Sequence, residues 1–411
     1  MWARLRLDIG WNDLAYGLLS IFSHRDSNAA QKSLESEWSE ERDDSLACLS
    51  LRSAFDLLLT ALKLPRGSEV LFSAITIPDM PLIAARHGLI PVSIPVREPD
   101  FRVDIDVLKE LLNERTKVIV VAQLFGNRVD LAEVQAIVGP QGVLIVEDCA
   151  QAWFCPEWRG SPEADASLFS FGMIKTATAL GGGLARISDP DLSKEMRRIQ
   201  ATFPRQTRRA YLSKLLKASV LKLLAYRVPL SIVSQLASLL KMDFAKLLSG
   251  MTRGFRHGDI LEQLRRQPSV PLLELMRRCL RTYPQSRILQ RCQNAERIRM
   301  ALRTCESLCL LPDCEQSHWL FPIFTDQAAS LIAVLHEQGF DAAQRGSLQP
   351  VSTSFSERQP VSDDADALLK RMVFLPCYPE LSSAEIDRMC SVIRDWWCSV
   401  VAVLQSHQFS D

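Results

Sequence analysis

The feature that most constrains the fold is an alternation of apolar runs and amphipathic segments between residues 51 and 188. The predicted strands read EVLFSAITI, PVSIPV, KVIVVAQLFG and GVLIVED. The predicted helices read SAFDLLLTALKL, PLIAARHG, DIDVLKELLNE and DLAEVQAIVG. KVIVVAQLFG is too apolar to have one face in water, which favours the interior of a parallel sheet. The alternation predicts a doubly wound α/β sheet with right-handed crossovers.

Two segments with side chains that could take part in a reaction follow apolar runs of this predicted sheet. Ligands of such sheets bind beyond the carboxyl ends of the strands. Asp148 follows the run VLIV, and Lys175 lies between SLFSFGMI and a triple glycine at 181–183, a run that permits close backbone approach. A lysine in dry surroundings has a lowered pKa and becomes a nucleophile. Lys175 is therefore a candidate reactive amine.

Composition excludes several other classes of protein. Lys+Arg and Asp+Glu both total 48 in 411 residues, so no basic excess favours nucleic acid. The eleven cysteines show no C-x-x-C pair and no histidine at metal-ligand spacing, so we expect reduced thiols and no metal site. MWARLRLDIG lacks the features of a signal peptide, so we expect a cytoplasmic protein. Neither G-x-G-x-x-G after the first strand nor a P-loop motif is present.

The chain divides into three predicted parts. Residues 1–48 are predicted as an N-terminal helical leader, 49–256 as a large domain, and 257–411 as a smaller C-terminal α/β domain. Residues 203–256 are basic, helical and apolar, and are predicted as an insertion. The insertion either packs on its own protein or at a dimer interface, or it contacts anionic lipid or a lipid-linked substrate. Its longest apolar run, VPLSIVSQLASLL, is too short to span a bilayer.

Four side chains together match the needs of one cofactor. Lys175 can form a Schiff base, and Asp148 can hold the proton of a heteroaromatic nitrogen. Ser170 and Ser53, with nearby backbone N–H groups, can hold a phosphate at a helix N-terminus. These are the groups that pyridoxal phosphate requires.

Five motifs, in order, resemble the DegT/DnrJ/StrS family of pyridoxal-phosphate aminotransferases, which act mostly on nucleotide-linked keto sugars. They are PRGSEVLFSAITI, ERTKVIVVAQLFGN, VEDCAQA, FSFGMIKTATALGGG and LPCYPELSSAEIDRM. The resemblance implies an aspartate-aminotransferase-like fold (fold type I), with a large, mostly parallel sheet domain and a small C-terminal α/β domain. It also implies a homodimer, glutamate as the amino donor and a nucleotide-linked keto sugar as the acceptor.

The resemblance also implies roles for individual residues. Lys175 aligns with the Schiff-base lysine that moves a proton between substrate and cofactor carbons, and Asp148 with the partner of the pyridine nitrogen. Gln151 aligns with a contact to the ring face or phenolic oxygen, and Ser170 with a phosphate ligand.

Arg52 and Ser53 align with the family's G-T-A segment, which opens a helix onto the phosphate. That segment here reads S-L-R-S, with Leu51 in place of the glycine, and the arginine is expected to add a phosphate contact.

The sequence departs from the family at two further places. An aliphatic Ile77 lies near the position of a stacking aromatic residue. The N-Y-R-M segment, whose asparagine reaches the neighbouring subunit's phosphate, is not evident, and RRQPS at 265–269 lies in its place.

Three alternatives stay open: a lipid-linked acceptor, a related enzyme that does not transaminate, and a non-catalytic scaffold. The family's dehydratase branch has histidine for lysine, so Lys175 argues against that branch.

Overall fold

The computed structural model describes residues 1–3, 6–39, 42–226, 229, 259–305, 308–310, 316–344, 346–352 and 363–408. Most of residues 227–258, and with them the run VPLSIVSQLASLL of the predicted insertion, therefore lie outside the described residues.

A seven-stranded sheet forms the centre of the large domain. Its strands are β1 (Ser45–Cys48), β2 (Glu69–Ser73), β4 (Ile90–Ile94), β5 (Thr116–Ala122), β6 (Leu144–Cys149), β7 (Ala166–Ser170) and β8 (Gly183–Ile187). The spatial order is β1-β8-β7-β6-β5-β2-β4. A separate ribbon pairs β3 (Ile75–Thr76) with β11 (Gln349–Pro350).

Parallel pairing dominates the large sheet. The pairs β2·β4, β2·β5, β5·β6 and β6·β7 are parallel, whereas β8 runs antiparallel to both β7 and β1. The carboxyl ends of β5, β6 and β7 therefore lie at one edge of the sheet. The predicted mostly parallel α/β sheet is confirmed.

Helices cover the large sheet and extend along one side of it. They are α1 (Trp11–Ser20), α2 (Ser27–Ser39), α3 (Leu51–Leu62), α4 (Asp79–Arg86), α5 (Ile105–Leu111), α6 (Ala132–Val138), α7 (Pro190–Gln200), α8 (Arg208–Leu224), α9 (Ile260–Leu264), α10 (Val270–Thr282) and α11 (Ser286–Leu302). A 3-10 turn, Gly139–Gln141, follows α6. Helix α3 begins where the Ser50 side chain accepts a hydrogen bond from Ser53 N at 3.1 Å, which satisfies one of the free N–H groups of the first turn.

A second, smaller α/β unit follows. Its antiparallel sheet has the order β12-β10-β9, formed by β9 (Cys309–Leu310), β10 (Phe321–Phe324) and β12 (Met372–Leu375). Helices α12 (Ala328–Glu337), α13 (Asp363–Arg371) and α14 (Ser383–Gln408) accompany this sheet. Its buried core includes Ile298, Ile323, Leu331, Val373 and Ile393. The predicted small C-terminal α/β domain is confirmed as part of the fold.

The segment predicted as a helical leader packs with the large domain. β1 lies inside residues 1–48 and pairs with β8 in the large sheet. Leu14 of α1 and Trp38 of α2 are buried in the same apolar cluster as Phe169 and Phe171. The analysis did not foresee the strand, because a four-residue run such as SLAC has too few positions to show a period. The domain boundaries themselves stay a prediction.

Across the described ranges, no helix is long and apolar enough to cross a membrane.

Candidate active site

Asp148 lies near the end of β6, between the neighbouring strands β5 and β7. Its carboxylate is buried, and Ala150 N donates a hydrogen bond to Oδ1 at 3.0 Å. Burial raises the pKa of Asp148, while the hydrogen bond from Ala150 and the charges of Lys175 and Arg52 act in the opposite direction. The buried carboxylate therefore lies within electrostatic reach of two cations.

Lys175 lies in the turn that follows β7. Its backbone N–H donates to Gly172 O at 2.9 Å, and its Nζ lies 4.2 Å from the centroid of the Trp319 ring. Burial lowers the pKa of Lys175 to about 8, the Asp148 charge raises it, and the Arg52 charge lowers it further. The pKa of the amine is thus closer to neutral pH than that of an exposed lysine, which favours its action as a nucleophile.

A buried polar network holds the chain immediately after Lys175. Asp8 Oδ2 accepts hydrogen bonds from Ala177 N at 3.4 Å and from the Tyr283 hydroxyl at 2.6 Å. Arg291 donates to Thr176 Oγ1 at 3.1 Å and to the Tyr283 hydroxyl at 2.8 Å. The network fixes the backbone on the C-terminal side of the reactive amine, and its members come from three separate parts of the chain.

The triple glycine brings the loop after Lys175 against the start of α3. A Cβ atom at Gly183 would lie 2.6 Å from Leu51 N and 2.8 Å from Phe169 O, so any other residue would separate these segments. Gly182 has a φ of +86°, and its N–H donates to Leu49 O at 2.9 Å. Glycine is therefore required here for close approach, as the sequence analysis expected.

Hydroxyl groups lie on both segments that the glycines bring together. Ser53 Oγ lies 2.9 Å from Ser50 Oγ in the first turn of α3. Ser170 Oγ, at the end of β7, accepts a hydrogen bond from Gly172 N at 3.4 Å. The Arg52 guanidinium is paired with the Asp79 carboxylate, a partner that the sequence analysis did not foresee. The charge that was expected to face a phosphate is thus shared with an acid.

Gln151 lies in the turn that follows β6, three positions after Asp148. Its Oε1 accepts a hydrogen bond from Phe125 N at 2.7 Å, which fixes the amide at the carboxyl ends of β5 and β6. A Cβ atom at Gly126 would lie 2.8 Å from the backbone nitrogens of His318 and Trp319. The segment before β10 therefore docks closely at this edge.

Trp319 is a site residue that sequence reasoning missed. Its indole Nε1 donates to Ile174 O at 2.9 Å, and its ring faces the Lys175 amine. The run HWLFPIFT reads only as a strand, and nothing in its spacing points to a lysine far away in sequence. Lys214 of α8 lies near the same loop, since a Cβ atom at Gly181 would be 3.2 Å from its Nζ, and its sequence surroundings, which resemble any basic helix, do not predict this contact.

Two departures from the family can now be located. Arg265, in the segment RRQPS, donates from Nε and Nη2 to the buried Asp56 carboxylate of the same chain, at 3.1 Å each. His87 Nε2 lies 2.8 Å from the same carboxylate. Ile77 is half-buried between two apolar clusters.

Over the ranges that the structure describes, no group of three His, Cys, Asp or Glu side chains could hold a metal ion.

One family profile matches part of the chain. Residues 37–230 match the sequence profile of the DegT/DnrJ/EryC1/StrS aminotransferase family. The matched range is slightly less than half of the chain. The resemblance inferred from the sequence motifs is confirmed, and the matched range includes both Asp148 and Lys175.

A curated relative covers part of the chain. The dTDP-3-amino-3,4,6-trideoxy-alpha-D-glucose transaminase of Micromonospora megalomicea subsp. nigra is 30% identical over 151 residues, which are 36% of this chain and 40% of the relative. The chain thus spans about two fifths of that relative's length.

Solved structures cover nearly the whole chain at lower identity. The aminotransferase TlmJ of Streptoalloteichus hindustanus superposes with a TM-score of 0.74 at 18% identity, over 98% of this chain and 100% of its own. The PLP form of Spr1654 from Streptococcus pneumoniae gives 0.71 at 18% identity, over 96% and 98%. These likenesses confirm the fold.

Proposed function

We propose that this protein is a pyridoxal-phosphate-dependent aminotransferase that moves an amino group from glutamate to the keto group of a nucleotide-linked sugar. The observation that carries the proposal is that Lys175 and Asp148 are both buried and lie within electrostatic reach of each other. A lysine with a pKa lowered by burial lies within electrostatic reach of a buried carboxylate, beside a glycine loop and a helix N-terminus. The match of residues 37–230 to an aminotransferase family supports the same chemistry.

The residues at this edge fit pyridoxal phosphate. The cofactor supplies an aldehyde and a ring that acts as an electron sink. Lys175 is the proposed Schiff-base residue, and the Asp148 carboxylate would hold the proton on the ring nitrogen. The Ser53 and Ser170 hydroxyls, with the N–H groups that begin α3, match the acceptor oxygens of a phosphate. Gln151 would contact the ring.

Lys175 has a second proposed task, the transfer of a proton between substrate and cofactor carbons. With a pKa of about 8, roughly a tenth of these amines are neutral at pH 7. An acid–base group whose pKa lies near the working pH is efficient in both directions. Trp319 covers one side of Nζ and keeps water from that side.

The substrates and the setting belong to the proposal. A relative named as a transaminase of a dTDP-linked amino sugar supports a nucleotide-linked keto sugar as the acceptor. The family resemblance supports glutamate and a homodimer. Nine of the eleven cysteines are free thiols, which supports a cytoplasmic location.

Two half-reactions test the proposal separately. The holoprotein is first mixed with glutamate, and the formation of 2-oxoglutarate is measured. Candidate keto sugars linked to dTDP, UDP or GDP are then added, and amino-sugar product is detected by mass spectrometry. We expect 2-oxoglutarate in amounts stoichiometric with bound cofactor, and turnover with one nucleotide class. A holoprotein that forms no 2-oxoglutarate from glutamate would contradict the proposed donor.

A lipid-linked or hydrophobic acceptor at a membrane surface is a second candidate, favoured by one observation. Eight large apolar side chains are exposed on α1, α8 and the residues that follow them: Trp11, Leu18, Leu19, Phe22, Leu216, Val220, Leu223 and Tyr226. The Trp11 indole donates to the Tyr226 hydroxyl at 3.0 Å, so the two groups of residues form one surface. Helix α8 also carries lysines and arginines and no acidic residue.

Vesicle binding tests this second candidate. We expect the protein to sediment with vesicles that contain anionic lipid at low salt, and to be released by salt, because polybasic attraction is screened. Leu223→Asp should abolish sedimentation. Met300→Asp, at an equally exposed apolar residue of α11, serves as a control. Protein that stays in the supernatant at low salt would exclude the membrane candidate.

A further inference from the structure

Helix α8 is anchored beside the glycine loop by one face. The Tyr211 side chain is fully buried, and its hydroxyl donates to Ala179 O at 2.8 Å. Leu215 and Ala218 of the same face are buried in the large-domain core. Residues three and four apart share a helix face, so Lys214 is directed toward the same loop as Tyr211.

The Lys214 ammonium reaches the loop at its first glycine. A Cβ atom at Gly181 would lie only 3.2 Å from Lys214 Nζ, so the missing side chain at Gly181 leaves room for the ammonium group. Lys214 is only partly accessible to solvent. Among the described residues, no carboxylate pairs with Nζ and no acceptor lies within hydrogen-bond distance. An ammonium group is therefore held against the loop that touches the start of α3, with no partner among the residues that the structure describes.

Positive charge accumulates around this loop. Burial lowers the pKa of Lys214, and the Arg52 charge lowers it further. The same Arg52 charge lowers the pKa of Lys175, so both lysines lie within electrostatic reach of Arg52. Arg52 is paired with Asp79, whereas in the described part of the chain no acid forms an ion pair with Lys214. Burying an unpaired ammonium is costly, and an anion bound at the glycine loop would remove that cost.

We propose that Lys214 binds the phosphate of the cofactor from within the same chain, together with the first turn of α3 and the Ser170 hydroxyl. This inference rests on the proposed function. It assigns to α8 the contact for which no neighbouring-subunit asparagine is evident in the sequence. A lysine acts here as a point charge on the phosphate, while backbone N–H groups supply direction.

The test compares pyridoxal phosphate with pyridoxal, which lacks the phosphate. Dissociation constants of both compounds are measured by absorbance for the full-length protein freed of cofactor, and for Lys214→Gln, Lys214→Arg and the control Lys217→Gln. We expect Lys214→Gln to weaken binding of pyridoxal phosphate by about 10- to 100-fold, the usual value of a charge-assisted hydrogen bond, and to leave binding of pyridoxal unchanged. Lys214→Arg should retain most of the affinity, and Lys217→Gln all of it.

A second readout does not need the cofactor. Inorganic phosphate should raise the melting temperature of the cofactor-free wild type, and this rise should be lost in Lys214→Gln. The proposal is overturned if Lys214→Gln binds pyridoxal phosphate as the wild type does, or if it weakens both compounds equally, since that would indicate damaged packing. A wild type that binds neither compound would refute the proposed function as well.

Discussion

Replacing Lys175 with methionine should change how the stability of the cofactor-free protein depends on pH. The native pKa of Lys175 is about 8, whereas an unfolded lysine titrates near ~10.4. Between these values the unfolded chain binds a proton that the native protein does not bind. The free energy of unfolding of the wild type should therefore rise with pH across this window, and below pH 8 the full cost of the buried charge is present.

The magnitude follows from the two pKa values. A difference of about 2.4 units corresponds to roughly 3 kcal/mol, of which about three quarters is relieved by pH 10. Urea denaturation of the wild type and Lys175→Met at pH 7 and pH 10 measures this cost. The stability gained by the substitution should be roughly 2 to 3 kcal/mol larger at pH 7 than at pH 10. Lys194→Met, at an exposed lysine, should show no such dependence on pH.

One result would refute the reasoning. If Lys175→Met changes stability by the same amount at pH 7 and pH 10, the amine is hydrated and fully charged in the native protein. The physical basis for an activated lysine would then be absent, whatever the fold resembles.

Three further substitutions test other contacts. Asp148→Asn should retain bound cofactor but slow the reaction with glutamate by at least roughly 100-fold, because an amide cannot hold the ring-nitrogen proton; an unchanged rate in stopped-flow absorbance would contradict this role. Gly183→Ala should lower the free energy of unfolding, measured in urea, by roughly 1 to 3 kcal/mol, because the added Cβ would meet backbone atoms. In the control Gly139→Ala the added Cβ meets only the flexible Gln135 side chain, and an equal loss of stability in both variants would contradict the close approach at Gly183. Trp319→Leu opens one side of Nζ to water, so the pKa of Lys175 should rise toward its usual value, and an unchanged or lower midpoint in pH-dependent amine labelling would contradict this role of the ring.

The strands that carry Asp148 were predictable because their signal is local. GVLIVED is a short apolar run that ends in two acidic residues, and the observed β6 covers Leu144–Cys149. Helix ends were less predictable. The long helical segment after residue 271 is two helices, α10 and α11, separated at Pro284, whose carbonyl accepts the N–H of Arg287. A proline marks such a break, but periodicity continues across it.

The parts of the site that come from distant segments were not predictable. β1 is a strand because it pairs with β8, which lies far along the chain. Trp319 reaches Lys175 because its segment docks at Gly126, and Lys214 reaches Gly181 because Tyr211 anchors α8. Each of these contacts depends on packing between segments, and no local pattern encodes it.

The central claim is that Lys175 holds pyridoxal phosphate and uses it to accept an amino group from glutamate. The most direct measurement is the absorption spectrum of the purified protein, supplied with the cofactor, before and after excess glutamate, beside Lys175→Ala. The account predicts a visible band in the wild type that glutamate bleaches, and a variant in which the band is absent or does not respond. A wild type that binds no cofactor even when it is supplied would contradict the account and favour a non-catalytic scaffold.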